Sequence, residues 1–195
     1  MRSSDGNLSC RLDAESILIT PAGRFKGRLA EDDLLVVGLD GRTHAGAAGA
    51  LPSSELPMHL EVYRQRPDVN AAIHAHPVFA TVLTMTRQDF PADVLPEVLA
   101  TLGTIPITHF ALPSSQEDAA AIRELVKHHD AMLLRQHGSL TVGKTLDEAL
   151  AYLERLEHAA EVFWRAQLLG EVSRLPEDAR KRLLALRSES RGRVT

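Results

Sequence analysis

The stretch Asn70-Ala-Ala-Ile-His-Ala-His-Pro77 decides how the rest of the sequence is interpreted. Ile73 and the small residues around it are typical of a short buried strand, which Pro77 ends because proline has no N–H for the ladder. Side chains alternate between faces along a strand, so His74 and His76 point to the same side. Two imidazoles about 7 Å apart on one face are well placed to bind one metal ion. Taken alone, the pattern fits equally well two hydrogen-bonded core histidines.

A third histidine favours the metal interpretation. His137 follows a second apolar run, Asp130-Ala-Met-Leu-Leu-Arg-Gln-His-Gly138. A catalytic zinc takes three protein ligands and leaves a fourth position for water or substrate, and neutral imidazole is its commonest ligand. We therefore predict a metal site of His74, His76 and His137. Zinc is the expected ion, and cobalt and manganese suit the same donors.

The segment Pro52-Ser-Ser-Glu55 begins a predicted helix. A carboxylate such as Glu55 is a good general base beside a divalent metal, although a first-turn Glu also simply complements the helix dipole. Ser53 or Ser54 is the expected N-cap, and a helix start with hydroxyl groups favours phosphate. The turns at Gly6-Asn7 and at Pro21-Ala-Gly23 offer backbone N–H groups that suit the same anion.

Composition limits the class of protein. The chain has 195 residues, of which 44% are hydrophobic and 25% are charged, as in an ordinary soluble domain. The net charge of −4 argues against nucleic acid as the main partner. A single cysteine, Cys10, excludes an internal disulfide and a cysteine-based zinc site. No apolar run approaches the ~18 residues of a membrane span, and residues 1–6 have no apolar signal region, so we expect a cytoplasmic protein without a membrane partner.

The predicted elements form one domain over residues 1–195. Strands are predicted in the hairpin 7–20 and over 34–39, 104–109, 131–136 and 139–142, with a loop over 44–50. Helices are predicted from 52–55 to 66, over 78–86, from 115 to about 129, from 145 onwards, and in a solvent-exposed tail of about 171–195 that has an Arg-rich helix after Pro176. Because several strands are joined by short turns, we predict a mixed, largely antiparallel sheet covered by helices.

The remaining histidines have simpler interpretations. His59 follows Glu55 by four residues and is predicted to be packed or hydrogen-bonded inside the protein. His128, His129 and His158 are predicted to be solvated on helix surfaces. His109 lies near a predicted strand end, and its role is ambiguous. These five rank below the metal motifs as candidate site residues.

The order of the motifs resembles the class II aldolase/adducin family over residues 5 to about 165. The segments that carry the resemblance are Gly6-Asn-x-Ser9-x-Arg11, Ile19-Thr-Pro-Ala-Gly23, Asp32-Asp-Leu, Leu39-Asp-Gly41, Pro52-Ser-Ser-Glu55, His59-x-x-x-Tyr63-x-x-Arg-Pro-Asp68, His74-x-His76, Gln136-His137-Gly138 and Asp147-Glu-Ala149. Each motif is common by itself, but their order is specific.

The resemblance implies a three-layer α/β/α fold and a homotetramer with active sites at subunit interfaces. It implies His74, His76 and His137 as zinc ligands and Glu55 as an acid/base residue that can also touch the metal. It implies a phosphate site at Gly6, Asn7, Gly23, Ser53 and Ser54. The expected activity is a zinc-dependent lyase that reversibly cleaves a phosphorylated ketose to an aldehyde and a product of the dihydroxyacetone phosphate type.

The sequence departs from that pattern in four places. Ala22 stands where the family has a hydroxyl residue, Leu95 falls by spacing where its aldolases use a tyrosine acid, and Pro113 replaces an aromatic residue. Family members usually have about one more helix before the Gly-Asn turn, whereas five residues precede Gly6. A metal-dependent decarboxylase, epimerase or dehydratase of a sugar phosphate is therefore a rival. A metal-free interaction module of the adducin type is a more distant one.

Overall fold

The computed structural model describes residues 5–86 and 88–192, with side chains described as far as residue 189. Residues 1–4, at the start of the segment expected to lack a signal region, and residues 193–195 of the expected helical tail lie outside this range. The strands are β1 (Asn7–Arg11), β2 (Ser16–Ile19), β3 (Leu35–Gly38), β4 (Thr43–Ala45), β5 (Ala71–Ala75), β6 (Ala131–Leu134) and β7 (Gly138–Gly143). The α-helices are α1 (Leu56–Gln65), α2 (Val78–Thr84), α3 (Pro96–Thr101), α4 (Gln116–Val126), α5 (Leu146–Leu169) and α6 (Glu177–Gly192).

The strands form one sheet in the order β4-β3-β2-β1-β5-β7-β6, and every neighbouring pair of these strands is antiparallel. A single isolated bridge between Ile107 and Leu133 is parallel. The prediction of a mixed, largely antiparallel sheet between helices is confirmed. The architecture is three-layered α/β/α.

The two-residue period of the strands separates the two cores. In β5, Ala72 packs in the cluster that includes α1 and α4, whereas Ile73 packs in a cluster with α5. In β6, Met132 belongs to the α1/α4 side and Leu133 to the side of α2, α3 and α5. Both faces of β5 and of the edge strand β6 are therefore buried, which accounts for their nearly continuous apolar runs.

Three local predictions were wrong. Residues 104–109 form no strand. They make only the bridge beside Leu133, because Pro106 has no N–H with which to continue a ladder. The loop predicted over 44–50 begins with part of β4, an exposed three-residue edge strand. The last helix is not wholly solvated, since Arg187 donates to the carbonyl of Thr101 and pairs with Asp130, so that α6 packs against α3.

Candidate metal centre

The sheet fixes the first histidine. His74 lies in β5 opposite Asn7 of β1 and Leu140 of β7, and none of its surface is exposed. Its Nδ1 is 2.9 Å from the carbonyl oxygen of Ser139. Because a carbonyl only accepts, Nδ1 carries the proton, and Nε2 presents its lone pair to the site.

The other two rings approach His74 from the ends of neighbouring strands. His76 follows β5, and its Nε2 is 2.9 Å from Nε2 of His74. His137 lies in the turn between β6 and β7, after Gln136, which has a left-handed φ of 55°. The Gln136 N–H donates to the hydroxyl of Thr84, which ties this turn to α2. The three ring centroids lie 4.6–4.9 Å apart, so the predicted ligands converge.

Gly138 allows this convergence. A Cβ on Gly138 would come within 2.4 Å of the Ala75 carbonyl oxygen and 2.8 Å of the His76 ring. Only a residue without a side chain lets β7 begin so close to the end of β5. The glycine after His137 is therefore part of the geometry of the site.

Glu55 closes the fourth side of the site. Its Oε2 is 3.1 Å from Nε2 of His74 and its Oε1 is 3.2 Å from Nε2 of His137. Glu55 is itself the N-cap residue of α1, so the expectation that Ser53 or Ser54 is the N-cap was wrong. Ser53 acts one step earlier, since its hydroxyl accepts from the Glu55 N–H and its carbonyl from the Leu56 N–H.

A buried hydrogen-bonded chain supports Glu55 from behind. The Asn7 amide donates to Glu55 Oε2 at 2.7 Å, and its oxygen accepts from Nε2 of His59 at 2.5 Å. Nδ1 of His59 must then accept, and Ser9 donates to it at 2.6 Å while accepting from the Tyr63 hydroxyl at 2.8 Å. The prediction that His59 is hydrogen-bonded inside the protein is confirmed.

The charges favour an ionised Glu55 beside neutral His74 and His59 rings. Burial raises the pKa of Glu55, but the hydrogen bond from His137, the charge of His74 and the hydrogen bond from Asn7 outweigh it and lower the pKa to about 2. Burial lowers the pKa of His74 to about 3 and that of His59 to about 4. Burial would lower the pKa of His137 too, but its hydrogen bond to Glu55 and the charges of Glu55 and Asp118 raise it.

The donor set fits a divalent cation. The lone pair on Nε2 of His74 faces a carboxylate oxygen and another imidazole nitrogen at 2.9–3.1 Å. Such groups repel each other unless a cation or a proton lies between them. Tetrahedral zinc with bonds of about 2.1 Å separates its ligand atoms by about 3.4 Å, a little more than this spacing. His74, His76 and His137 form one group of possible ligands, and Glu55, Asp118 and His137 form a second.

The residues expected to bind phosphate lie next to this centre. Gly6, with φ of 74°, leads into β1 beside His74, and Gly23, with φ of 66°, sits in an exposed turn. A bridge from Pro21 to Pro52 brings that turn beside the two serines. Ser53 is buried, whereas Ser54 is exposed and accepts a hydrogen bond from Ser114 at 2.9 Å. Asn7 is largely used by Glu55 and His59, so less of its amide is left for a ligand than the motif suggested.

Two charged residues near the site were missed by the sequence interpretation. Asp118 is 3% exposed, and burial raises the pKa of its carboxyl to about 6. The charge of Glu55 also raises this pKa, whereas the charge of His137 lowers it. Lys26 donates to the carbonyl oxygens of Pro21 and Arg24; burial lowers its pKa, and the charges of Asp5 and Glu55 oppose the shift. In the sequence, the position of Asp118 in the first turn of a helix indicates only a helix-capping role. The polar sequence around Lys26 contains no pattern that indicates a position near the site.

Four further histidines lie outside the centre. His128 and His158 are exposed, as predicted, and His109 is exposed as well. His129 is half-buried, and its Nδ1 is 3.0 Å from the carbonyl oxygen of Thr104, so the prediction that it is solvated was wrong. It follows the end of α4 rather than lying on the outer face of that helix.

The departures at Leu95 and Pro113 place no acid at the site from this chain. Leu95 precedes α3 and packs against the core cluster of α2, α3 and α5. Pro113 is half-buried beside Ser114, which has a left-handed φ of 61°. Neither side chain carries a group that transfers a proton.

A family model described as the class II aldolase and adducin N-terminal domain matches residues 1–164. The chain belongs to this family. Among its class II aldolase/adducin relatives is an L-fuculose phosphate aldolase of Methanococcus vannielii, 34% identical over 159 residues, which are 82% of this chain and 83% of the relative. A 3-oxo-tetronate 4-phosphate decarboxylase of Pectobacterium atrosepticum is 32% identical over 172 residues, 86% of this chain and 76% of the relative.

A solved structure has the same fold over most of both chains. The structure of an L-fuculose 1-phosphate aldolase matches with a TM-score of 0.86 and 30% identity, covering 95% of this chain and 86% of that one. The recognition made from the motifs is therefore confirmed, and so is the fold. Among the described residues, none of the helices combines the length and the apolar character that crossing a bilayer requires.

Proposed function

We propose that this protein is a zinc-dependent lyase that breaks a carbon–carbon bond next to the carbonyl of a small phosphorylated sugar. The observation that carries the proposal is the convergence of the His74, His76 and His137 rings on the Glu55 carboxylate. Nε2 of His74 is 2.9 Å from Nε2 of His76, and the Glu55 oxygens are 3.1 Å and 3.2 Å from Nε2 of His74 and of His137. When bound, the metal supplies a Lewis acid that stabilises negative charge on substrate oxygen. Cobalt or manganese suits the same donors.

Glu55 is the proton carrier in this account. The Asn7 amide and the His137 ring hold its carboxylate in one orientation, ionised at neutral pH. It can give a proton to, or take one from, the carbon that carries charge when the bond breaks. It would also contact the metal when no substrate is bound.

The phosphate group is proposed to bind at Gly6, Asn7, Gly23, Ser53 and Ser54. Ser54 is exposed, the Gly23 turn lies beside it, and the Lys26 ammonium adds positive charge next to that turn. A phosphate held there fixes the position of the reacting carbons, which is a large part of the catalysis of any bond cleavage. Ala22 is exposed in this turn and can contribute only its backbone.

Aldol cleavage of a phosphorylated ketose, giving an aldehyde and a product of the dihydroxyacetone phosphate type, is the first candidate reaction. Decarboxylation is the second. In aldol cleavage a base must take the hydroxyl proton of the fragment that leaves as aldehyde, whereas carbon dioxide leaves a β-keto acid without such a transfer. Leu95 has no hydroxyl to serve the leaving fragment, which favours decarboxylation, as does the similarity to the decarboxylase. An epimerase or a dehydratase would use the same metal and base.

A substrate panel with and without chelator tests this proposal. Purified protein loaded with zinc is incubated with phosphorylated pentuloses, hexuloses and 3-oxo acids, and aldehyde, carbon dioxide and ketone phosphate are measured. We expect chelator-sensitive release of a three-carbon ketone phosphate. A folded, zinc-loaded protein that releases none of these products from any member of the panel contradicts the lyase proposal, and bound protein partners without metal would favour an interaction module.

The proposed assembly is a homotetramer. Helices α2 and α5 expose apolar side chains, including Val78, Val82, Leu150 and Trp164, which are 39–53% exposed. They flank a cavity of about 600 Å³ that His76 lines. A second copy covering this face would explain both features. Light scattering of the purified protein checks the assembly, with a mass of four chains expected and a monomer contradicting it.

A further inference from the structure

Asp118 is a buried carboxylate that the proposed reaction does not use. It is the third residue of α4, after the N-cap residue Ser115. Its neighbour Glu117 is exposed, whereas Asp118 is 3% exposed. Burying a carboxylate without compensation is costly, so a partner or a role is expected.

Helix capping does not account for its position. A carboxylate three residues after an N-cap usually accepts from the N-cap backbone N–H. Here the Ser115 hydroxyl accepts from the Glu117 N–H, and Oδ2 of Asp118 has no hydrogen-bond partner among the described residues. The favourable helix dipole is equally available to the exposed Glu117.

Asp118 lies next to a second buried polar atom that has no hydrogen-bond partner among the described residues. This atom is Nδ1 of His137. A ligating atom of Asp118 lies within 4.8 Å of one on His137 and of one on Glu55. His74 differs, because its Nδ1 is 2.9 Å from a carbonyl oxygen that fixes its orientation. Metal-binding histidines almost always donate their second ring N–H to such an acceptor.

We propose that Asp118 is a positioning residue for His137, whose Nδ1–H donates to the Asp118 carboxylate directly after a small side-chain shift or through one water. The link holds Nε2 of His137 towards Glu55, 3.2 Å from Oε1 of its carboxylate. Asp118 would thus fix the orientation of the His137 ring, as the Ser139 carbonyl fixes that of the His74 ring. The inference rests on the metal site of the proposed function, but not on which bond that site breaks.

The metal affinity of Asp118→Leu tests this inference, with Glu117→Gln as the matched control that removes a first-turn charge from the same helix. Zinc affinity is measured by competition with a chromophoric chelator, and cobalt coordination by visible absorption. We expect Asp118→Leu to weaken zinc binding about 10- to 100-fold. Asp118→Asn should recover part of the loss, because its amide oxygen still accepts. Glu117→Gln should bind as the unchanged protein does.

A purely structural role gives a different result. It predicts that the metal-free leucine variant is less stable to urea and that zinc affinity is unchanged. Our account predicts weakened zinc binding whatever the change in metal-free stability, because the orientation of His137 is lost. Unchanged zinc affinity in folded Asp118→Leu overturns the inference. If that variant does not fold, unchanged affinity and an unchanged cobalt spectrum in Asp118→Asn overturn it instead.

Failure of the proposed function is distinguishable. If the unchanged protein binds zinc but cleaves no substrate in the panel, the lyase proposal falls, and the affinity comparison of the Asp118 variants still decides the inference. If the unchanged protein binds no divalent metal, both fall.

Discussion

The two sides of the metal centre are built differently. His74 is part of a ladder with strands on both sides, and its second ring nitrogen faces a backbone carbonyl. His137 lies in a turn after a residue with left-handed φ, and its second nitrogen has no partner among the described residues. The strand side is therefore fixed by the fold itself. The turn side depends on side chains, which is where evolution or mutagenesis can adjust the centre with least damage to the core.

The largest effect is expected on the strand side. His74→Ala removes a ligand that no neighbour can replace, because the residue is fully buried in the sheet. We expect the bound metal and the chelator-sensitive activity both to be lost. Metal analysis by mass spectrometry, with circular dichroism as a check of folding, measures this. Full activity in a metal-free variant would contradict the proposed mechanism, and His158→Ala, at an exposed position, is the control.

The substitution Glu55→Gln distinguishes the role of Glu55 as a base from the role of the histidines as metal ligands. The glutamine amide has the size of the carboxylate and still accepts a hydrogen bond from the Asn7 amide. It cannot take up and release the proton that the reaction transfers. We expect metal to remain bound and turnover to fall about 10²- to 10⁴-fold. Steady-state kinetics on the zinc-loaded variant measure the change. A rate close to that of the unchanged protein would remove Glu55 from its role.

Acid should destabilise the metal-free protein through the buried histidines. The pKa of His59 is lowered from 6.5 to about 4 in the folded state, so the unfolded state binds more protons between those values. Stability is therefore fully present above pH 6.5 and is lost as the pH falls towards 4, by about 1.4 kcal/mol per pH unit for one such group. His74 acts in the same direction, and Glu55, lowered from 4.5 to about 2, adds to the loss at still lower pH. Urea unfolding at a series of pH values measures how steeply the free energy of unfolding falls as the pH falls. This slope should be shallower in His59→Asn. A free energy of unfolding that does not change with pH would contradict the prediction.

The hydrogen-bonded chain behind Glu55 should give a smaller effect. Ser9→Ala leaves Nδ1 of His59 and the Tyr63 hydroxyl without their partner. We expect the free energy of unfolding to fall by about 1–3 kcal/mol, with zinc affinity nearly unchanged. Urea unfolding and chelator competition measure the two quantities. A large loss of zinc affinity with unchanged stability would show that this chain serves the metal rather than the fold.

Strands with strong local patterns could be predicted from the sequence, and so could the histidines of the centre. The period of two along Ala71–Ala75 places His74 on one face whatever packs around it. The position of Glu55 beside the rings followed only from the family resemblance. Asp118 and Lys26 reach the site through α4 and through the turn after Gly23, and no local pattern indicates such long-range approaches. The strand predicted over 104–109 is absent, because Pro106 has no N–H with which to continue a ladder.

Crystals of the zinc-loaded protein, measured at the zinc absorption edge, test the central claim most directly. The account predicts one anomalous peak per chain, within about 2.0–2.3 Å of a ring nitrogen from each of His74, His76 and His137. A fully loaded crystal with its only peak elsewhere, or with these rings turned away from any peak, would contradict it.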